Sequence, residues 1–129
     1  MCDIVLYEER YTAKYSIKKI NSRGIKMDVQ MKRGLLDICV LRALRDSESY
    51  GYQIIKDVSP YVSISESTLY PILRRLEAGR FVSVRSAEYN GRLRKYYRIT
   101  PLGVNKLNAF ISEWKEINLI YNFVTGVKY

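Results

Sequence analysis

The chain contains no histidine and only two cysteines, Cys2 and Cys39. Without an imidazole, no side chain titrates unperturbed near neutral pH, so general acid–base work would fall to carboxylates, lysines or tyrosines. No carboxylate pair stands in an apolar context that would raise a pKa, and serine-nucleophile motifs and phosphate-cradling glycine loops are absent too. An enzyme is the weaker reading. Two cysteines make no disulfide framework, and without histidine neither belongs to a zinc site of the CxxC…HxxxH kind. No metal and no cofactor is expected. Cys39, within Leu36-Asp37-Ile38-Cys39-Val40-Leu41, reads as a buried, inert thiol.

Long apolar runs are also missing. None approaches the roughly 18 residues of a membrane span, and the start lacks the charged, apolar and small-residue order of a signal peptide. The expected location is the cytoplasm, with no membrane partner. Acidic residues are few: 13 Asp and Glu face 22 Lys and Arg, a net charge of +9. That balance favours a polyanionic partner, nucleic acid before an anionic membrane, over a merely solvated basic surface. A length of 129 residues allows one core and at most one appended element.

What is present is organised around residues 65–79. Leu69, Ile72, Leu73 and Leu76 recur at helical spacing, while Ser67, Tyr70, Pro71, Arg74 and Arg75 fall on the opposite face. Such a helix docks by its leucines and turns guanidinium and hydroxyl groups outward, towards solvent or a duplex groove. Ser65 or Ser67 supplies the N-cap. Pro71 belongs within or just past the first turn; with Ser65 as cap, one ladder hydrogen bond is lost and a slight kink follows. Gly79 is placed to end the helix in a left-handed conformation.

Residues 1–30 form an N-terminal extension with two readings. Tyr7, Tyr11 and Tyr15 stand four apart, as on a helix face, yet Ile4-Val5-Leu6 would pass as a strand. Ser22-Arg23-Gly24-Ile25-Lys26-Met27 has the look of a translated ribosome-binding site, which would make Met27 or Met31 the start and the rest leader or mobile arm. The rival is an ordered helix that packs in a dimer. From Met31, Leu36, Val40, Ala43 and Leu44, flanked by Leu35 and Leu41, give a first helix. Ser49 is placed to cap a second, which runs to Val58 and stops at Ser59-Pro60.

After the central helix, residues 81–99 read as a β-hairpin turning at Asn90-Gly91. Arg92, Arg94 and Lys95 cluster at its tip, where three cations in four residues argue for phosphate contact. Thr100-Pro101 then starts a last helix that Gly126 ends. Along it Leu107, Phe110, Trp114, Ile117, Tyr121 and Val124 alternate in steps of three and four, the a/d repeat of a coiled-coil seam. Packing of this helix across its own domain is the other possibility. The fold class is therefore α+β, mainly α. A winged helix-turn-helix of three helices and a β-hairpin wing spans 31–99, followed by a C-terminal dimerisation helix at 100–129.

The stretches Tyr50-Gly51-Tyr52-Gln53-Ile54, Ser67 to Glu77 and Gly91 to Thr100, with Gly103, resemble the PadR family of bacterial transcriptional regulators. The resemblance covers about residues 31 to 125 and is to the subfamily with a single C-terminal dimerising helix. It implies a homodimer on pseudo-palindromic operator DNA, usually a repressor. By position, Ser67, Thr68, Tyr70 and Arg74 would face the major groove. Arg92, Arg94 and Lys95 would approach the flanking backbone or minor groove, and Tyr52 would add a phosphate contact. In multidrug-responsive relatives an aromatic residue of the last helix stacks flat ligands. Trp114 falls there, with Phe110 one turn before, so the resemblance implies a planar aromatic effector, against the plain alternative of packing. A different class of function, a winged-helix protein-interaction module without DNA binding, uses the same fold. Charge discriminates: Arg74, Arg75, Arg80, Arg85, Arg92, Arg94, Lys95 and Arg98 face only Glu77 and Glu88.

Overall fold

The computed structural model describes residues 28–127, so the N-terminal readings on Tyr7, Tyr11, Tyr15 and Met27 lie outside the described residues. Four helices and one hairpin follow in order: α1 Val29–Ala43, α2 Gly51–Val58, α3 Glu66–Ala78, β1 Val82–Tyr89, β2 Arg92–Ile99 and α4 Pro101–Thr125. This is the winged-helix arrangement. The first helix begins two residues before the Met31 suggested by the pattern.

The core is where the three short helices and the root of the wing meet. Leu36, Val40 and Leu41 from α1, Ile54 and Val58 from α2, and Leu69, Ile72, Leu73 and Leu76 from α3 are buried there with Val82 and Tyr97. Each set recurs in steps of one, three or four, the spacing that gathers side chains on one side of a helix. In the wing, Val84 pairs with Tyr97 and Val82 with Ile99, so alternate residues carry the inward face. Asn90 and Gly91 take φ of 50° and 78°, the positive values a type I′ turn demands of both central residues.

Two local expectations change. Ser49 is not the cap of α2; that position belongs to Tyr50. Ser49 is instead held by the sheet, its N–H donating to the Tyr97 carbonyl at 3.0 Å and its carbonyl accepting from the Tyr97 N–H at 2.7 Å. The helix starts one residue later than the pattern suggests, with the Tyr50 carbonyl accepting from the Ile54 N–H at 2.9 Å. The second change is at the end of α3, where Gly79 keeps a helical φ of −80° and Arg80 takes the left-handed one at 62°. The Phe81 N–H reaches the Leu76 carbonyl and the Arg80 N–H the Glu77 carbonyl, both at 2.9 Å, a Schellman ending displaced by one residue. Glycine at 79 provides room: a Cβ would stand 2.5 Å from the Phe81 ring.

The N-cap position of α3 is Ser65, whose carbonyl accepts from Thr68 and Leu69 at 3.1 and 2.9 Å, but its hydroxyl, engaged with those of Ser67 and Thr68, makes no capping bond to a helix N–H. Pro71 is then the sixth helical residue, and the Ser67 carbonyl lacks the N–H four residues on. Thr100 caps α4 as read from the sequence, accepting from the Gly103 N–H at 3.1 Å, with Pro101 at the first helical position. Its hydroxyl donates to the Arg80 carbonyl at 2.7 Å, and its N–H donates to that of Phe81 at 3.0 Å. The ends of α3 and α4 are thus bolted together.

Within α4, Gly103 and Leu107 are buried and Phe110 is half-buried. From Ile111 to Val124 every residue except Asn122 is exposed. Cys39 proves half-buried rather than enclosed, and burial pushes its thiol above the ordinary range. No helix of the described residues is long and apolar enough to cross a membrane.

Candidate nucleic-acid interface

The outward face of α3 is set by its leucines. With Leu69, Ile72, Leu73 and Leu76 buried, Ser67, Thr68, Tyr70 and Arg74 are exposed by helical geometry alone. The hydroxyls of Ser67 and Thr68 lie 3.0 and 3.1 Å from that of Ser65, a small polar cluster around the helix entry. Arg75 behaves differently from its neighbour. Its Nη2 donates to Asp37 Oδ1 on α1 at 2.5 Å, so this guanidinium secures α3 to α1.

Between α3, the start of α2 and the wing lies a groove of about 810 Å³. It brings together Tyr52, Tyr70, Arg92, Arg94 and Lys95, which the sequence had offered from three separate stretches. Ser67, Thr68 and Arg74 stand outside this groove on the exposed face of α3. Gly51 makes the junction of α2 and α3 close, since a Cβ there would stand 2.9 Å from the Tyr70 hydroxyl. At the wing's root, burial pushes the Tyr97 phenol above its ordinary range, with Glu77 and Tyr70 adding to the shift and Arg74 opposing it.

Charge in the region is largely uncompensated. Among the described residues, ion pairs engage Arg75 with Asp37 and Arg85 with Glu48, and no carboxylate pairs with Arg74, Arg92, Arg94 or Lys95. The Arg85 hydrogen bond lowers the Glu48 carboxyl from its ordinary value, so this tie persists to lower pH than an unpaired carboxylate would allow and is lost as the pH falls through the lowered value. Glu66 is the acidic side chain lining the groove, where it complements the N-terminal dipole of α3.

Sequence reasoning missed Tyr50, Tyr89 and Leu93, which also line the groove. For Tyr89 a signal existed. An Asn-Gly turn fixes the register that pairs Tyr89 with Arg92, and this sets Tyr89 diagonally across from Arg94. Arg94 indeed lies over Tyr89, with Cζ 4.0 Å from the ring centroid, and over Tyr50 at the same distance.

A second feature lies behind this face. Met31, Leu35, Asp37, Phe110, Trp114 and Ile117 line an apolar groove of about 440 Å³ between α1 and α4. Phe110 and Trp114 are in contact there, with ring centroids 5.7 Å apart at 53°. Of the seam residues, Leu107 is 2% exposed within its own chain, whereas Ile117, Tyr121 and Val124 are 45%, 61% and 74% exposed.

Comparison with known proteins finds relatives that share this fold. The sequence model of the family described as Transcriptional regulator PadR-like family matches residues 40–109. An uncharacterized protein X of Lysinibacillus sphaericus is 35% identical over 102 residues, covering 74% of this chain and 94% of the relative. The X-ray structure of a PadR-like transcription factor from Bacteroides fragilis superposes with a TM-score of 0.68 at 33% identity, covering 74% of this chain and 94% of that one. Bacillus subtilis PadR, solved in complex with operator DNA, gives a TM-score of 0.56 at 26% identity, covering 60% of this chain and 46% of that one.

Proposed function

We propose that this chain, which belongs to the PadR-like family of transcriptional regulators, is a cytoplasmic homodimer that represses transcription by binding pseudo-palindromic operator DNA. Members of this family regulate transcription and are not enzymes. The observation that carries the proposal is the single surface on which α3 exposes Ser67, Thr68, Tyr70 and Arg74 beside a groove holding Tyr52, Arg92, Arg94 and Lys95. An exposed helix of this width enters a major groove, and a wing beside it meets the flanking backbone. The solved complex of Bacillus subtilis PadR with operator DNA supports duplex DNA as the partner. Selection of bound fragments from the source genome tests this. Recovered sites should carry inverted half-sites about one helical turn, or a multiple of it, apart; recovery without sequence enrichment overturns the reading.

The two cationic contributions separate by experiment. Arg74→Ala should cost about 1–3 kcal/mol on the recovered operator and relax its sequence preference. Lys95→Ala should weaken all duplexes alike and flatten the salt dependence by about one unit of slope. Equal losses from both, on operator and random DNA, count against base reading by Arg74.

The finer reading adds a planar aromatic effector in the groove beside Trp114, supported by the apolar lining and the adjacent Phe110 ring. Trp114 is the single tryptophan of the chain, so its emission reports this groove alone. Planar aromatic cations should quench it in a saturable way; a flat titration across a varied panel leaves Trp114 as packing.

A further inference from the structure

The outer face of the wing carries a stack that links it to the entry of α2. The ladder between Ser49 and Tyr97 sets Tyr50 beside Tyr96, with ring centroids 5.9 Å apart at 74°. Arg94 lies between Tyr50 and Tyr89, its Cζ 4.0 Å from each ring centroid. Arg85, paired with Glu48, covers Tyr96 at 4.7 Å and continues the row towards the wing's root. Arg94 is half-buried in consequence, while Arg92 and Lys95 are exposed.

A guanidinium packed against two rings presents its in-plane N–H edge to a partner, and that edge matches the oxygens of a phosphodiester. An exposed arginine surrenders its rotamer freedom when it meets a phosphate; one already clamped has less to lose. Lysine could not take this place, since its ammonium is not planar.

Resting on the DNA-binding reading above, we propose that Tyr50 and Tyr89 are positioning residues for duplex binding. They clamp Arg94 within the groove and make it the fixed phosphate contact of the wing, beside the adaptable Arg92 and Lys95. The clamp also joins the wing to the start of α2, so both meet the duplex as one surface.

The test measures anisotropy of a labelled random-sequence duplex at low salt with the full chain. Tyr50→Leu and Tyr89→Leu should each weaken binding about threefold to tenfold, while Tyr50→Phe and Tyr89→Phe, which keep the ring, stay within about twofold. In an Arg94→Ala background, Tyr89→Leu should add nothing. If the phenylalanine variants lose as much as the leucine ones, the hydroxyls bind directly and the clamp is overturned. Additive loss in the Arg94→Ala background, or leucine variants as tight as the unaltered chain, overturns it too. An unaltered chain that fails to bind any duplex removes the DNA reading and the clamp with it. Were a leucine variant to melt early, recovery of affinity by the phenylalanine variant and the Arg94→Ala double mutant still decide.

Discussion

Ile117→Lys is expected to leave a monomer at micromolar concentration in sedimentation, where the unaltered chain should run as the proposed dimer. Helix α4 is 25 residues, roughly 37 Å long, and its own domain covers little beyond Phe110. Past that point Trp114, Ile117, Ile120 and Tyr121 are 36% to 63% exposed, an apolar surface of the kind a partner covers. In a two-fold interface each substitution occurs twice, and each ammonium costs several kcal/mol to desolvate unpaired. Dissociation should therefore rise by roughly a thousandfold or more. Operator affinity should collapse with it, because two half-sites held together bind far more tightly than either alone. An unchanged mass removes α4 from the interface. Leu107, already buried against its own chain, does not contribute a comparable surface, so the proposed seam begins at Phe110.

Leu73→Ala is the second large effect, and it acts on folding. Leu73 is 1% exposed on the inner face of α3, so truncation leaves a cavity in the buried cluster or forces α3 to settle inward. Loss of about 2.7–5 kcal/mol is expected, against a total of about 5–15 kcal/mol for a domain of this kind. Urea unfolding reads it as a lower midpoint at unchanged slope. Ser67→Ala, on the outer face of the same helix, should stay within about 0.5 kcal/mol. A small loss for Leu73→Ala would mean that α3 is not held by its leucines.

Most of the scaffold was legible because it rests on local rules. Apolar spacing gave α1 to α3, Asn90-Gly91 gave the hairpin, and Thr100-Pro101 gave the start of α4. The misreadings are mostly places where a distant contact overrides a local preference. Ser49 looks like a cap until Tyr97 claims its backbone; at Gly79 the override is local, since the left-handed turn falls one residue later, on Arg80, and glycine is kept for the room it leaves the Phe81 ring. Arg75 reads as one more outward cation beside Arg74, and only the approach of Asp37 on α1 separates the two. The site was legible as a list of cations but not as a surface. That Tyr50 and Tyr89 enclose Arg94 depends on the wing returning to the entry of α2, which no pattern in either stretch announces.

The bolt at Thr100 has a mechanical meaning in the proposed dimer. Its hydroxyl and N–H hold the Arg80 and Phe81 carbonyls, and Gly103 passes so near that a Cβ would stand 2.2 Å from the Phe81 oxygen. Contacts this close restrict the elbow. With α4 as the handle and α3 as the jaw of a calliper, a stiff elbow fixes the gap between the two jaws. The span of the operator is then chosen where the handles cross, far from any base.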